Sequence, residues 1–186
     1  RFDTVELSTI DTALLLGGVL FAQSYFDGAD STEAAIRALA DSIYSRVEWP
    51  YFVTERGGFS MSWRPEDGPG FNATHWTGYD ESMILHLLAL GSPTHPVDPS
   101  VWGWYRSHFT WSTYQGESYY EFAPLFGHHY SHVFVDFRGI QDDSTAARGI
   151  DYFENSARAT RAHRAYAMAN PDGWLGYGDD LWGLSA

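Results

Sequence analysis

The sequence predicts an all-α fold built from helical hairpins, and three observations lead to that prediction. Apolar residues recur at intervals of three and four over long stretches, which is the period of an amphipathic α-helix. Side chains that cap helix N-termini precede several of these stretches. A stretch that is apolar on nearly every side is followed at once by one with a single apolar face, which indicates the inner and outer helices of one hairpin.

The first predicted hairpin lies at the start of the chain. Ser8 as N-cap, with Asp11 three residues later, predicts a helix that runs to about Phe26. Its apolar residues surround most of the circumference, so we expect it to be buried on nearly all sides. Asp30 with Glu33 predicts the start of a second helix, whose one apolar face marks it as the outer member.

The remaining elements return to helices after one interruption. Residues 51–63 change to an alternating pattern, which predicts a small β-hairpin inserted between helices. We then expect an irregular aromatic segment over 109–124 and helices at Thr77 to about Leu90, about Asp98 to His108, Leu125 to Phe137, and Ser144 to about Met168. The pattern suits either an ordinary helical bundle or half of a ring of helical hairpins, with the active site where the inner helices begin.

Charge and composition exclude several classes of partner and site. Acidic residues outnumber basic ones 24 to 11, for a formal net charge of −13, so we expect neither nucleic acid nor an anionic membrane as a partner. No apolar run reaches transmembrane length, and the first six residues do not form a signal peptide. The absence of cysteine excludes disulfides and cysteine-based zinc sites.

Aromatic residues make up 17% of the chain, with eight Trp, twelve Tyr and twelve Phe. Trp and Tyr combine a flat apolar face with a hydrogen-bonding edge. A pyranose ring has an apolar face and a rim of hydroxyl groups, so these side chains suit carbohydrate. A bulky core with aromatic loop packing explains the composition equally well.

Glu81 is the first candidate for acid–base chemistry. The predicted helix from Thr77 places Glu81 in the first turn, where the positive end of the helix dipole keeps a carboxylate ionised, as a base or nucleophile requires. Acidic residues are enriched at this position for capping alone. Capping therefore stays the simpler interpretation, although it suits Asp80 better than Glu81.

Glu154 is the second candidate. The predicted helix from Ser144 places it in the middle of a helix, where it cannot act as a cap. Aromatic neighbours at 152 and 153 would raise its pKa by desolvation until it holds a proton near neutral pH. Arg158 and Arg161 follow at four and seven residues on the same face, so a surface ion pair is the alternative.

His128, His132 and Asp136 recur every four residues and would form one polar stripe on a helix. Two histidines at this spacing can hold a metal, but the glutamate of a His-Glu-x-x-His site is missing. We therefore expect no metal and no cofactor. Instead, the stripe would line a polar cavity whose groups bond sugar hydroxyls.

Several stretches of the sequence resemble the glucoamylase-like family, which includes endo-β-1,2-glucanases and the C-terminal domains of cyclic β-1,2-glucan synthases. They occur in order along nearly the whole chain: residues 8–14, 78–85, 88–96, 124–128, 130–132, 136–140, 151–156 and 182–184. The chain departs from the family pattern at Asp80, where Asn is expected, at His129, where Gln is usual, and at Phe134, where Trp is usual. Asp80 is therefore not expected to be an essential acid.

The resemblance implies part of an (α/α)6 toroid, with a catalytic domain about twice this length and residues 1–186 a single fragment cut at both ends. It implies Glu154 as general acid and Glu81 as base or nucleophile. Further residues would bind the sugar: Asp11, Trp76, Tyr79, Asp80, His128, His129, His132, Asp136 and Trp182. It also favours a bacterial protein in the periplasm or secreted, whose signal segment lies outside this chain.

The leading hypothesis is a glycoside hydrolase that cleaves a β-glucan, with β-1,2 linkage as the expectation. The distance between its two carboxylates would separate a retaining mechanism, at about 5–5.5 Å, from an inverting one, at about 6.5–9.5 Å. A transglycosylating domain of a glucan synthase and a non-catalytic carbohydrate-binding module are the alternatives. The partner in every case is an oligo- or polysaccharide.

The ring interpretation predicts the behaviour of the isolated chain. Half of a ring leaves apolar helix flanks uncovered, and exposed apolar patches drive association. We expect the 186-residue chain alone to aggregate or to have a low melting temperature, and to show little activity. We expect the complete domain to be monomeric and active. Thermal unfolding and light scattering check this, and a monomeric chain with a sharp cooperative transition would contradict it.

Overall fold

The structure, a computed structural model, describes residues 6–64 and 71–183. These residues group into two compact units. The first comprises residues 6–64, 71–77 and 82–107, and the second comprises residues 78–81 and 108–183. Helices account for most of the regular structure, as expected from the sequence.

The first unit contains four helices and one short strand pair among the described residues. Their bounds are β1 Leu7–Ser8, α1 Thr9–Tyr25, α2 Ser31–Tyr44, β2 Ser62–Trp63, α3 Met83–Leu90 and α4 Ser100–Arg106, with a 3-10 turn at Trp49–Phe52. The antiparallel pair β1–β2 leads directly into α1. Helix α1 packs against both α2 and α3, and α3 supplies much of the core through buried Met83, Ile84, Leu85 and Leu88.

Both predicted helix starts of the first hairpin are confirmed. The Ser8 hydroxyl accepts a hydrogen bond from the backbone N–H of Asp11 at 3.2 Å. The Asp30 carboxylate accepts from the N–H groups of Thr32 and Glu33. Each cap satisfies N–H groups that have no partner within the helix, which explains why these positions were recognisable locally.

The prediction that α1 is buried on nearly all sides is wrong. Only one side of the helix is covered, through residues that include Ala13, Leu16 and Gly17. Leu15 and Phe21 are 65% and 62% exposed. The described residues thus cover one face of α1, although apolar side chains lie on several of its faces. An apolar side chain of α2, that of Leu39, is likewise 63% exposed.

A regular β-hairpin over residues 51–63 is not confirmed. Residues 49–52 form the 3-10 turn, a single antiparallel bridge joins Val53 to Phe59, and β2 pairs with β1. The turn between Val53 and Phe59 closes through a hydrogen bond from the N–H of Thr54 to the carbonyl of Gly58. Gly58 also allows the Trp104 ring to lie directly over the backbone, because a Cβ there would be 2.0 Å from the ring.

The second unit contains a β-hairpin and three helices among the described residues. Their bounds are β3 Trp111–Tyr114, β4 Glu117–Tyr120, α5 Phe126–His129, α6 Asp143–Ala146 and α7 Tyr152–Ala169, with a 3-10 turn at Tyr130–Val133. Helix α7 packs against β4 and α5. In place of the expected helix over 125–137, the chain forms α5 and the 3-10 turn. No helix of the described residues is long and apolar enough to cross a membrane.

The hairpin β3–β4 was missed by the prediction of an irregular segment over 109–124. Gln115 and Gly116 form a two-residue loop, both with positive φ, at 49° and 81°. This backbone matches the right-handed twist of the flanking strands. Trp111 and Tyr120 are paired across the strands, and the Arg148 guanidinium lies over both rings, 4.7 and 5.2 Å from their centroids. These contacts fix one face of the hairpin.

The expected long helix from Ser144 is divided into α6 and α7. Asp142, not Ser144, caps α6 through a reciprocal capping box with Thr145. Gly149, with φ of +66°, ends that helix, and the Asp151 carboxylate starts α7 by accepting from the N–H of Glu154 at 2.7 Å. Two closely spaced aspartate caps outcompete one continuous helix.

The close approach at Gly58 generates a stability prediction. In Gly58→Ala the new methyl group meets the Trp104 ring, which has to rotate away, so the free energy of unfolding should fall by about 1–3 kcal/mol. Gly18→Ala is the matched control, since nothing lies within 4 Å of a Cβ at that helical position, and it should stabilise by about 0.5–1 kcal/mol. Urea unfolding measures both. Equal effects of the two substitutions would contradict the Trp104 contact.

Candidate active site

The loop that carries Tyr79, Asp80 and Glu81 is the centre of the candidate site. The Tyr79 ring is buried and stacks on His128, with centroids 4.9 Å apart, and on Tyr152, with centroids 6.2 Å apart. The Ser131 hydroxyl donates a hydrogen bond to the backbone carbonyl of Glu81 at 3.1 Å. The stacking of the Tyr79 ring and the hydrogen bond to the Glu81 carbonyl thus fix the position of the loop.

Glu81 does not lie in a helix, so the expectation that it occupies a first helical turn is wrong. Helix α3 begins at Met83, with Ser82 at the N-cap position, and residues 78–82 form bends and turns. The predicted cap at Thr77 fails because the next residue, Gly78, has a φ of +88°, which lies outside the right-handed helical region. The dipole argument for Glu81 therefore loses its basis.

The carboxylate of Glu81 has a different property that suits chemistry. Its Oε2 atom is buried and has no hydrogen-bond partner within the described residues. Burying a polar atom without a partner costs free energy, and a catalytic role or a bound water or ion is among the reasons for which natural proteins retain such atoms. The Oε2 atom of Glu81 therefore keeps its capacity to accept a hydrogen bond.

Glu154 lies in the first turn of α7, not in the middle of a helix. Its Oε1 atom accepts hydrogen bonds from Arg158 at 3.0 Å and from Arg161 at 2.9 Å. Partial burial acts to raise the pKa of Glu154, but the hydrogen bonds and charges of the two guanidinium groups outweigh it and hold the pKa below its ordinary value. The expectation of a raised pKa is wrong, because the two arginines at four and seven residues reach the carboxylate.

Ser156 connects the loop to the segment that follows α5. Its hydroxyl shares hydrogen bonds with the Tyr79 hydroxyl, at 3.1 Å, and with Nε2 of His132, at 3.0 Å. Burial raises the pKa of Tyr79 to about 12, and burial lowers the pKa of His132 to about 4. Both groups are therefore neutral at pH 7, and this chain of hydrogen bonds carries no net charge.

The predicted stripe of His128, His132 and Asp136 is not continuous. His128 is fully buried and, since a carbonyl only accepts, donates from Nε2 to the carbonyl of Phe122 at 3.3 Å. Burial lowers the pKa of His128 to about 3. Asp136 lies beyond the 3-10 turn and pairs with Arg138 at 2.6 Å. The stripe breaks because α5 ends at His129.

The other predicted residues fall into separate surroundings. His129 is exposed and shares a 2.7 Å hydrogen bond with the hydroxyl of Thr160. Asp80 is 4% exposed, and Trp182 is 38% exposed. No three His, Asp or Glu side chains of the described residues are grouped so that they could hold a metal ion.

Asp11 and Trp76 belong to the first unit. Asp11 is exposed in the first turn of α1. The Trp76 ring is 8% exposed, and its indole N–H donates to the hydroxyl of Thr9 at 2.9 Å. That hydrogen bond serves the start of α1, so in this structure Trp76 contributes to packing.

Ser131, Ser156 and Tyr152 were not predicted as site residues. Ser131 and Ser156 bond to the loop that carries Glu81, and Tyr152 stacks on Tyr79. Small hydroxyl residues give no periodic or charge signal. They could have been found only through their neighbours, since each lies within two residues of a candidate in the chain.

A family model described as "Putative glucoamylase" matches residues 73–186. The chain is 28% identical to the exo β-1,2-glucooligosaccharide sophorohydrolase of Parabacteroides distasonis, over 95% of this chain and 28% of that protein. A solved structure described as a putative glucoamylase from Bacteroides uniformis superposes with a TM-score of 0.84 and 29% identity, over 95% of this chain and 44% of that one.

The endo-β-1,2-glucanase of Chitinophaga pinensis, solved with sophorotriose and glucose, superposes with a TM-score of 0.81. It is 27% identical to this chain over 95% of the chain and 44% of its own length. The chain thus spans between about a quarter and a half of the relatives that it matches.

The buried neutral histidines generate a pH prediction. The unfolded chain takes up protons on His128 and His132 below pH 6.5, whereas the folded chain resists until about pH 3 and 4. The stability that these groups contribute is therefore complete above pH 6.5 and is lost as the pH falls towards 4. Each histidine should contribute a slope of about 1.4 kcal/mol per pH unit in the free energy of unfolding.

The substitution His128→Phe keeps an aromatic ring against Tyr79 and removes one titrating group. In this variant, urea unfolding below pH 6.5 should show a weaker dependence of the free energy of unfolding on pH. The decrease in slope should correspond to about one proton. His95→Gln, which removes an exposed histidine, is measured beside it as the control. The same slope in wild type and His128→Phe would contradict the lowered pKa.

Proposed function

The chain belongs to the putative glucoamylase family, and on that premise we propose that it acts as a glycoside hydrolase on β-1,2-linked glucan. The likeness to the Chitinophaga pinensis endo-β-1,2-glucanase, solved with sophorotriose, is the observation that carries the proposal. The sophorohydrolase of Parabacteroides distasonis supports the same linkage. The buried loop with Tyr79 and Glu81 supplies a site that suits this chemistry.

Hydrolysis requires two carboxyl groups with different tasks. One gives a proton to the glycosidic oxygen as the bond to the anomeric carbon breaks. The other either attacks that carbon or removes a proton from the water that does. We propose Glu81 for the second task, because its Oε2 is buried with no partner within the described residues and Ser131 fixes its backbone.

We propose Glu154 as the general acid, subject to one physical condition. A carboxylate held by two guanidinium groups does not donate a proton, so substrate binding must displace the contacts from Arg158 and Arg161. The side chain of Glu154 is 38% exposed, which leaves room for a sugar hydroxyl to compete.

Substrate contacts are proposed for the remaining predicted residues. These residues are Tyr79, Asp80, His128, His129, His132 and Asp136, together with Asp11, Trp76 and Trp182. Among them, Asp11, His129, Asp136 and Trp182 have the exposure that a sugar contact needs. Trp76 and His128 are already bonded within their units, so they would act through packing.

We further propose that the chain supplies part of an (α/α)6 toroid with a small β-hairpin insertion. The coverage of 44% of the Chitinophaga pinensis structure supports this, as does the exposed apolar face of α1. A ring of helical hairpins covers such a face with the next hairpin. The complete domain would then be the monomeric, active species.

Substitutions at the two carboxylates test the assignment in the full-length protein. Glu81→Gln keeps the shape of the side chain but removes the base, and should lower kcat on linear β-1,2-glucan at least 100-fold. Glu154→Gln should also lower kcat and should remove the alkaline limb of the pH profile, since that limb reports the acid. Release of reducing ends measures both, and Glu48→Gln is the control at an acidic residue of the first unit.

The outcomes separate the alternatives. Full activity in Glu154→Gln, with a lower melting temperature, would assign Glu154 to the ion pair alone. Products longer than the substrate in the presence of an acceptor sugar would favour a transglycosylating domain. Saturable binding of β-1,2-glucan without hydrolysis would favour a binding module.

A further inference from the structure

A pocket of about 590 Å³ lies within the second unit, on one face of the hairpin β3–β4. Its volume falls in the range of roughly 300–1,000 Å³ that is typical of small-molecule sites. Its lining residues include Gly78, three residues before Glu81, and His163 of α7. The pocket therefore adjoins the candidate active-site loop without including the Glu81 side chain.

The geometry of the hairpin determines which side chains reach the pocket. Alternate residues of a strand point to opposite faces, and residues paired across the ladder share a face. Ser112 pairs with Tyr119, and Tyr114 follows on the same face. The ladder extends by a hydrogen bond from the N–H of Glu121 to the carbonyl of Thr110, so Glu121 joins this face, opposite to the one that Arg148 covers.

Aromatic rings and polar groups converge on the pocket. Tyr114, Tyr119 and Phe122 line it with apolar surface. The Phe122 ring lies against the backbone of Gly127, where a Cβ would be 2.2 Å away, so this wall is fixed. The Ser112 hydroxyl donates to Oε2 of Glu121 at 2.5 Å, which leaves the other carboxylate oxygen and the serine lone pairs as acceptors.

The charge of the pocket selects a neutral ligand. The lining residues identified in the described part of the chain include Glu121 and neither lysine nor arginine. Burial lowers the pKa of His163, followed by the effect of neighbouring His129, so its ring is uncharged at pH 7. A carboxylate beside neutral hydroxyls repels anions and accepts hydrogen bonds from hydroxyl groups.

We propose that this pocket is a sugar subsite that binds a glucosyl unit of the glucan next to the unit that Glu81 contacts. The proposal rests on the proposed function for the identity of the sugar. The glucosyl ring packs its apolar face on Tyr114, and its hydroxyls donate to Glu121 and Ser112. Gly78 and Glu81 belong to one short loop, and the proposal requires a single glucan chain to reach both the pocket and the carboxylate.

Titration calorimetry of the full-length protein with sophorose, the β-1,2-linked disaccharide of glucose, tests the subsite. Tyr114→Ala should weaken binding at least fivefold, since the side chain forms one aromatic wall. Tyr130→Ala is the matched control, because both tyrosines are 43% exposed but only Tyr114 is among the pocket residues. Glu121→Gln is the second variant, and it should weaken binding about threefold or more while circular dichroism stays unchanged.

Hydrolysis is measured separately so that the two proposals fail separately. If sophorose does not bind, or binds equally to wild type, Tyr114→Ala and Glu121→Gln, the subsite is overturned whether or not the protein cleaves glucan. If Tyr114→Ala weakens sophorose binding and β-1,2-glucan is not cleaved, the subsite stands and the hydrolase function is overturned. A higher KM with an unchanged kcat on long β-1,2-glucan in Tyr114→Ala would support both.

Discussion

Burial of the Tyr79 ring is the constraint on which the second unit depends. The ring stacks on His128 and on Tyr152, and its hydroxyl shares a hydrogen bond with Ser156. A buried phenol needs a partner for its hydroxyl, and Ser156 provides it while also bonding His132. One aromatic residue thereby joins the loop 78–81 to the short helix α5, the turn that follows it and the start of α7.

The two candidate carboxylates lie in contrasting surroundings. Glu81 has a buried oxygen with no partner in the described residues, whereas Glu154 accepts two hydrogen bonds from guanidinium groups. Pairs of acids whose surroundings push their pKa values apart are typical of catalytic sites. Here, however, the ion pair keeps Glu154 ionised, which is the opposite of what a proton donor requires in the free protein. For Glu154 to act as the proton donor, substrate binding would have to break its ion pairs with Arg158 and Arg161.

Local signals in the sequence predicted the two helix starts of the first hairpin correctly. Ser8 and Asp30 cap helices because a cap depends on contacts within four residues. The hairpin β3–β4 was missed because the aromatic segment over 109–124 was predicted to be irregular. The signal for the hairpin is the Gln-Gly turn between its two aromatic strands. The break before α7 was missed because Asp142 and Asp151 are both caps, and only the structure shows that each starts its own helix.

Candidate residues were predictable by type and less so by surroundings. The family resemblance pointed to Glu81 and Glu154, but the burial of one and the ion pairs of the other depend on residues distant in sequence or on side-chain orientation. The position of Ser131 against the Glu81 carbonyl, fifty residues away, has no sequence signal. Tertiary contacts of this kind decide charge states, and periodicity carries no information about them.

The two faces of the hairpin β3–β4 carry separate tasks. Trp111 and Tyr120 with Arg148 hold the strands in place on one face, and the other face lines a pocket. Since adjacent strand positions alternate between these faces, mutations that reshape the pocket leave the anchoring rings untouched. Such a strand pair can change the shape of its pocket over evolutionary time at little risk to folding, and it offers the same freedom to directed evolution.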